Sequence, residues 1–161
     1  MRIGIISDTH DQLPRTLTAI RMLVDAGAEA LFHCGDYTEP DIVEACGALP
    51  GYYVFGNNDY SSPTMRRAMA DVHGVCLEWA GAVTLAGKRI AMTHGHLHKD
   101  VRGLLAAKPD YLFSGHSHMT ADVMDGPTRR INPGALYRAE RYTIAVLDLK
   151  TDKLTFLEVP R

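Results

Sequence analysis

Apolar residues in this chain come in short blocks separated by polar punctuation, and their spacing changes midway. Ile3 to Ser7 is a short, mostly apolar run, followed at once by Asp8. Such a run ahead of helix-forming sequence suits a strand buried on both faces of a sheet. From Leu13 to Ala26, apolar positions fall at Leu17, Ile20, Leu23 and Val24, a helical period, and Gly27 stands where a helix C-cap belongs. Ala30 to Cys34 predicts a second strand, ending in Gly35-Asp36. Pro40-Asp41 opens a second helix through Leu49, which Pro50-Gly51 closes. Tyr52 to Phe55 predicts a third strand, ending in Gly56-Asn57-Asn58-Asp59. Three β-then-α units in a row imply a parallel sheet with right-handed crossovers.

After a short helical piece near Pro63 to Ala70 the rhythm changes. Val75 to Trp79, Ala82 to Leu85 and Arg89 to Thr93 read as short strands, with Ala86-Gly87-Lys88 as the turn between the last two. Val101 to Ala107 predicts a helix ended by Pro109, and Tyr111 to Phe113 a strand. Further strands are expected near Ala121 to Met124, Arg129 to Ile131, Tyr142 to Leu149 and Leu154 to Val159, the final pair joined at Thr151-Asp152-Lys153. The fold class is therefore α/β: two packed β-sheets with helices outside would bury both sets of apolar faces. No repeat, low-complexity segment or linker interrupts residues 1–161, so one domain is expected.

Composition narrows the function classes. The chain has 161 residues, 46% apolar and 22% charged, enough to bury a core without disulfides or a structural metal. A net charge of −2 recruits neither nucleic acid nor an anionic membrane, although bound cations would add a local positive field that this count omits. Cys34, Cys46 and Cys76 are odd in number and form no Cys-x-x-Cys pair, so they read as buried thiols in a reducing compartment. The apolar run at the start is too short for a signal core or a membrane span, and the expected location is the cytoplasm.

Five places end an apolar run with metal-type ligands: Asp8-Thr9-His10, Gly35-Asp36, Gly56-Asn57-Asn58-Asp59, Thr93-His94-Gly95-His96 and Ser114-Gly115-His116-Ser117-His118. Each alone has a plain structural explanation, such as an N-cap, an Asx turn or chance histidine spacing. The first three lie where ligands bind in parallel sheets, at the carboxyl ends of strands. Together the five supply oxygen and nitrogen donors, a carboxylate able to bridge two divalent cations, and no cysteine, which argues against a closed thiolate zinc site. His33 reads as a buried, hydrogen-bonded histidine, and His73 and His98 as solvent-facing. Asp59 is expected to orient a neighbour. Arg66-Arg67 and Arg129-Arg130 read as solvated pairs, whereas Tyr137, Arg138 and Arg141 are candidates to line the pocket.

The order Asp-x-His, Gly-Asp, Gly-Asn-x-Asp, His-Gly-His, Gly-His-x-His resembles that of the calcineurin-like metallophosphoesterase superfamily. The short length resembles its small prokaryotic phosphodiesterase branch. The resemblance runs from Met1 to about Gly134 and includes Asn132-Pro133-Gly134, similar to the family's Asn-Pro-Gly-Ser turn with Ala135 replacing serine. It implies two mixed β-sheets flanked by helices, a four-layer αββα sandwich. It also implies that Asp8, His10 and His118 hold one metal, that Asn57, His94 and His116 hold a second, and that Asp36 bridges them. The usual cation in the family is manganese, with iron, nickel, zinc and cobalt as alternatives, and the family's habit suggests a homodimer. The implied activity is hydrolysis of small phosphodiesters; the rivals are a phosphomonoesterase and a non-catalytic protein-binding scaffold of the same fold. Many members carry histidine after the motif's asparagine, where this chain has Asn58. An amide donates a hydrogen bond to phosphate but is no general acid, so Asn58 and, as the nearest other donor, His96 join Asp36 as catalytic candidates, and activated diesters are the expected substrates.

Overall fold

The computed structural model describes residues 1–161. Strand β1 (Arg2–Ile6) leads into helix α1 (Leu13–Asp25), which β2 (Ala28–His33), α2 (Pro40–Ala45), β3 (Gly51–Tyr53), α3 (Pro63–Asp71) and β4 (Val75–Cys76) follow. The hairpin β5 (Ala80–Leu85) and β6 (Lys88–Thr93) comes next, then α4 (His98–Ala106) and β7 (Tyr111–Phe113). Two hairpins finish the chain: β8 (Thr120–Asp125) with β9 (Thr128–Pro133), and β10 (Thr143–Asp148) with β11 (Lys153–Glu158). The elements form a six-stranded sheet, ordered β11-β10-β1-β2-β3-β4, and a five-stranded sheet, ordered β5-β6-β7-β9-β8. Strands β1 to β4 are mutually parallel, as are β6, β7 and β9, while antiparallel partners complete both sheets.

Side-chain alternation along the strands divides the interior in two. In β1, Ile3 and Ile5 point toward the second sheet while Ile6 joins the helix-facing core; in β10, Ala145 and Leu147 face the second sheet and Ile144 and Val146 face the helices. Helices α1, α2 and α3 cover the outer face of the six-stranded sheet with Ala19, Ile20, Leu23, Ile42, Val43, Met65 and Met69. Between the sheets, Phe32 stacks on Tyr52 at 4.8 Å and meets Phe113 edge-on at 5.3 Å. Helix α4 forms the fourth layer and buries no residue completely. Two packed sheets with helices outside is the architecture the pattern predicted, and both sheets are mixed, as the resemblance implied.

Element boundaries differ where local chemistry intervenes. Helix α2 stops at Ala45 instead of reaching Leu49: the chain passes into tighter turns, Gly47 N–H donating to the Glu44 carbonyl and Leu49 N–H to that of Cys46. Helix α4 starts at His98, three residues before the expected Val101, with Asp100 in its first turn complementing the dipole. The expected strand Val75 to Trp79 shrinks to Val75–Cys76, because Leu77 and Glu78 turn to bond the backbone of Tyr53 and Phe55. Cys34 and Cys46 are buried, but Cys76 is only half-buried, at that short edge strand.

Candidate metal centre

All five ligand-rich stretches leave the carboxyl ends of β1, β2, β3, β6 and β7, and they meet along one edge where the two sheets face each other. Asp8, His10 and Asp36 come from the six-stranded sheet, and His94, His116 and His118 from the other. The turns are tight enough that Asp8, His10, Asp36, His116 and His118 all adopt positive φ, between 45° and 67°. Side chains other than glycine take that conformation at a cost and keep it only where the surroundings impose it.

The surroundings here are backbone bonds between loops. Asp8 N–H donates to the Gly35 carbonyl and His10 N–H to the Asp36 carbonyl, joining the β1 and β2 turns. His116 N–H donates to Asp8 Oδ2 at 3.0 Å, joining the sheets. Glycine allows the approach: a Cβ on Gly115 would sit 1.8 Å from Ser7 Oγ and 2.6 Å from Asp8 Oδ2, and one on Gly56 would sit 2.1 Å from Asp36 Oδ1. Asp59 is buried and accepts from Asp36 N–H, Gly56 N–H and Thr38 N–H at 2.7 to 2.8 Å, so one carboxylate ties the β2 turn to the β3 turn. Burial outweighs the pull of the three backbone donors and raises its pKa to about 6.

Two clusters of ligand atoms result, Asp8 with His10 and His118, and Asp8 with Asp36 and His94, the atoms in each within 4.8 Å of one another. His118 Nε2 lies 3.2 Å from Asp8 Oδ1, and His94 Nε2 lies 3.4 Å from Asp36 Oδ2. His10 Nε2 is 3.8 Å from the same Asp36 oxygen, which therefore stands between members of both clusters. The tautomers suit ligation: His94 Nδ1 donates to the Cys34 carbonyl at 2.8 Å and His118 Nδ1 to the Arg138 carbonyl at 3.3 Å, leaving each Nε2 lone pair facing the centre. Asp8 Oδ1, His10 Nε2 and His94 Nε2 are buried without any hydrogen-bond partner. Three orphaned ligand-type atoms converging on one space are what a cation would satisfy, so the donors fit a divalent metal.

The local field points the same way. Burial works to raise the Asp36 carboxyl, but the His94 ring beside it and the hydrogen bonds from Asn58 outweigh it and hold the group well below the usual carboxylate range. Burial opposes charge on His94, yet Asp36 and Asp8 raise its pKa; His118 is raised chiefly by the Asp8 carboxylate beside it. For His10, burial wins and lowers the pKa. Two carboxylates thus draw positive charge into the centre, as a proton or as a metal.

A cavity of about 350 Å³ opens over this centre, lined by His10, Asp36, Asn57, Asn58, His116, His118, Tyr137 and Arg138. Asn57 and His116 thus share the cavity with the clustered groups, His116 with its ring 5.1 Å from that of His94. Asn58 is turned inward: its N–H donates to Asp36 Oδ1 at 2.9 Å and its Nδ2 to Asp36 Oδ2 at 2.7 Å. His96 stands off the cavity, half-buried, its ring 5.5 Å from His94, 6.1 Å from His116 and 6.3 Å from Trp79. His33 is fully buried as expected, and His73 and His98 are exposed. The arginine pairs are engaged elsewhere, Arg66 with Glu78, Arg67 with Asp71, Arg129 with Asp122 and Asp152, and Arg130 with Asp125. Two features escaped the sequence reading, namely the grip of Asn58 on Asp36 and the bond from His118 to the Arg138 carbonyl. Neither has a local signature, because their partners lie 22 and 20 residues away.

Residues 1–152 match the model of the calcineurin-like phosphoesterase superfamily domain. The chain belongs to that superfamily. Among its relatives, a phosphodiesterase of Methanocaldococcus jannaschii is 29% identical, with 99% of this chain and 98% of that one covered. The solved structure of a novel archaeal phosphodiesterase superposes with a TM-score of 0.90 at 26% identity, covering 99% of this chain and all of that one. Vacuolar protein sorting 29 from Cryptosporidium parvum shares the fold alone, with a TM-score of 0.63 at 16% identity over 98% of this chain and 95% of that one. The superfamily uses divalent metals, and the donor set of this chain suits them.

Proposed function

We propose that this protein is a dinuclear, metal-dependent phosphodiesterase acting on small diesters. The observation that carries the reading is the convergence of Asp8, His10, Asp36, His94 and His118, with buried ligand atoms left unpartnered and both Nδ1 hydrogens already committed to carbonyls. Asp8, His10 and His118 would hold one cation, Asn57, His94 and His116 the other, and Asp36 would bridge them; manganese is the proposed metal, with iron, nickel, zinc and cobalt as alternatives. Cations held there would supply water activation and neutralisation of charge on the phosphoryl oxygens. The protein's own residues orient and hold. Asn58 fixes the Asp36 carboxylate, Asp59 fixes the backbone that carries it, and the Cys34 and Arg138 carbonyls fix the faces of His94 and His118.

Neither of the two catalytic candidates beside Asp36 is placed to deliver a proton to a leaving oxygen. The Asn58 amide is not an acid and is committed to Asp36, and His96 stands outside. General acid catalysis is worth roughly 10²–10⁴-fold, so diesters with acidic, aryl-type leaving groups are favoured over alkyl monoesters. A completed donor set argues against the scaffold reading, for which these side chains would have no use. The three free thiols agree with a reducing compartment, for which we propose the cytoplasm, and no helix is long and apolar enough to cross a membrane.

The test is hydrolysis of bis(4-nitrophenyl) phosphate and of 4-nitrophenyl phosphate, after chelation and after adding back manganese. Activity should vanish with chelator, return with manganese and favour the diester, and Asp36→Ala should lose both metal retention and turnover. A folded wild-type protein that binds manganese yet cleaves neither ester would overturn the proposal.

A further inference from the structure

Six of the eight residues lining the cavity are candidate ligands or, in the case of Asn58, committed to one of them. The other two are Tyr137 and Arg138. The Tyr137 ring packs on the His10 ring at 4.4 Å, and the Arg138 guanidinium lies over Tyr137 at 5.0 Å from its centroid. Arg138 is exposed, and its guanidinium forms no hydrogen bond or ion pair, unlike Arg66, Arg67, Arg129 and Arg130. It is also the cavity's only lysine or arginine. Its backbone is fixed at φ 45°, and its carbonyl accepts from His118 Nδ1. A non-glycine residue in that conformation, bonded directly to a candidate ligand, is a strained position of the kind that clusters at binding sites. The arrangement aims an unpaired planar cation at the space beside the metal ligands.

We propose that Arg138, carried on the Tyr137 ring, is a specificity residue that grips a non-bridging oxygen of the substrate phosphate. This rests on the phosphodiesterase reading above. A diester monoanion offers two non-bridging oxygens; one faces the ligand cluster and the other meets the guanidinium, whose fork suits phosphate geometry. Arginine keeps its proton at all working pH values, so it binds and stabilises charge without protonating the leaving group. Arg138 therefore adds charge stabilisation and no proton, in keeping with substrates whose leaving oxygen departs unaided.

The experiment compares wild type, Arg138→Ala and Arg138→Lys in three measurements: manganese binding by calorimetry, inorganic phosphate binding to the manganese-loaded protein, and kcat and KM for bis(4-nitrophenyl) phosphate. A lost charge-assisted hydrogen bond corresponds to roughly a tenfold to hundredfold change. Arg138→Ala should raise KM and weaken phosphate binding by about that factor, with manganese affinity unchanged and Arg138→Lys recovering part of the loss. Unchanged KM and phosphate affinity in Arg138→Ala would overturn the assignment, as would a loss of manganese affinity large enough to account for the kinetic defect. If wild type cleaves no diester but binds phosphate through Arg138, the activity proposal falls and takes the specificity role with it, while the phosphate contact of Arg138 stands.

Discussion

Asn58 and Asp59 show how neighbouring residues divide one task. Asn58 holds the Asp36 carboxylate from the cavity side, with two hydrogen bonds of 2.7 and 2.9 Å, and Asp59 holds the Asp36 backbone from beneath. Replacing Asn58 with alanine removes the side-chain bond but leaves the backbone one. A single hydrogen bond to a charged group contributes about 1.5–3 kcal/mol, so Asn58→Ala should weaken manganese binding about tenfold by calorimetry, with a folded protein. Asp59→Ala strands two buried N–H groups and a third, half-buried one, each buried group costing roughly 1–3 kcal/mol to leave unmade. It should lower the unfolding free energy in urea by at least about 2 kcal/mol. The identities of both residues were plain in the chain, as was the expectation that Asp59 would orient a neighbour. Which neighbour it orients depends on a turn 23 residues away.

At the scale of elements, the β1 and β2 turns are coupled through His33. Gly35 N–H donates to its Nδ1 at 3.2 Å, so Nδ1 is the acceptor and Nε2 carries the hydrogen, which goes to Thr9 Oγ1 at 2.9 Å. Protonating Nδ1 would break the bond to Gly35, and complete burial pushes the His33 pKa down to about 3. An unfolded histidine titrates near 6.5. Between those values the unfolded chain binds the extra proton, so this group's contribution falls as the pH drops below about 6.5. For this one residue the loss between pH 7 and 5.5 is about 1 kcal/mol. Urea unfolding at the two pH values should therefore show a smaller acid loss, by about that amount, in His33→Gln than in wild type. Loop-to-loop approach is equally demanding at Gly115, where an added methyl would run into Ser7 Oγ and Asp8 Oδ2. Gly115→Ala should reduce manganese affinity at least tenfold while circular dichroism stays native.

Over the whole molecule, the centre exists only because two sheets pack with the carboxyl ends of their parallel strands at one edge. Phe32, Tyr52 and Phe113 lie at that sheet-to-sheet contact. Phe32→Ala should lower stability by about 3–5 kcal/mol, measured by urea unfolding, and should weaken manganese binding although Phe32 touches no candidate ligand. Much of this was legible in the linear chain. Apolar runs of four or five residues ending in Asp, Asn or His mark strands and the polar turns after them, since periodicity and turn chemistry are local properties. That is why β1, β2, α1 and all five ligand-bearing turns fell close to where the pattern placed them, and why the motif order pointed to the superfamily. Three-dimensional placement was decided only by folding: which oxygen of Asp36 faces which histidine, that His96 stands aside, and that Arg138 meets His118. These depend on sheet twist and on contacts between residues 20 to 108 positions apart, and a one-dimensional pattern carries no distance across a sheet interface.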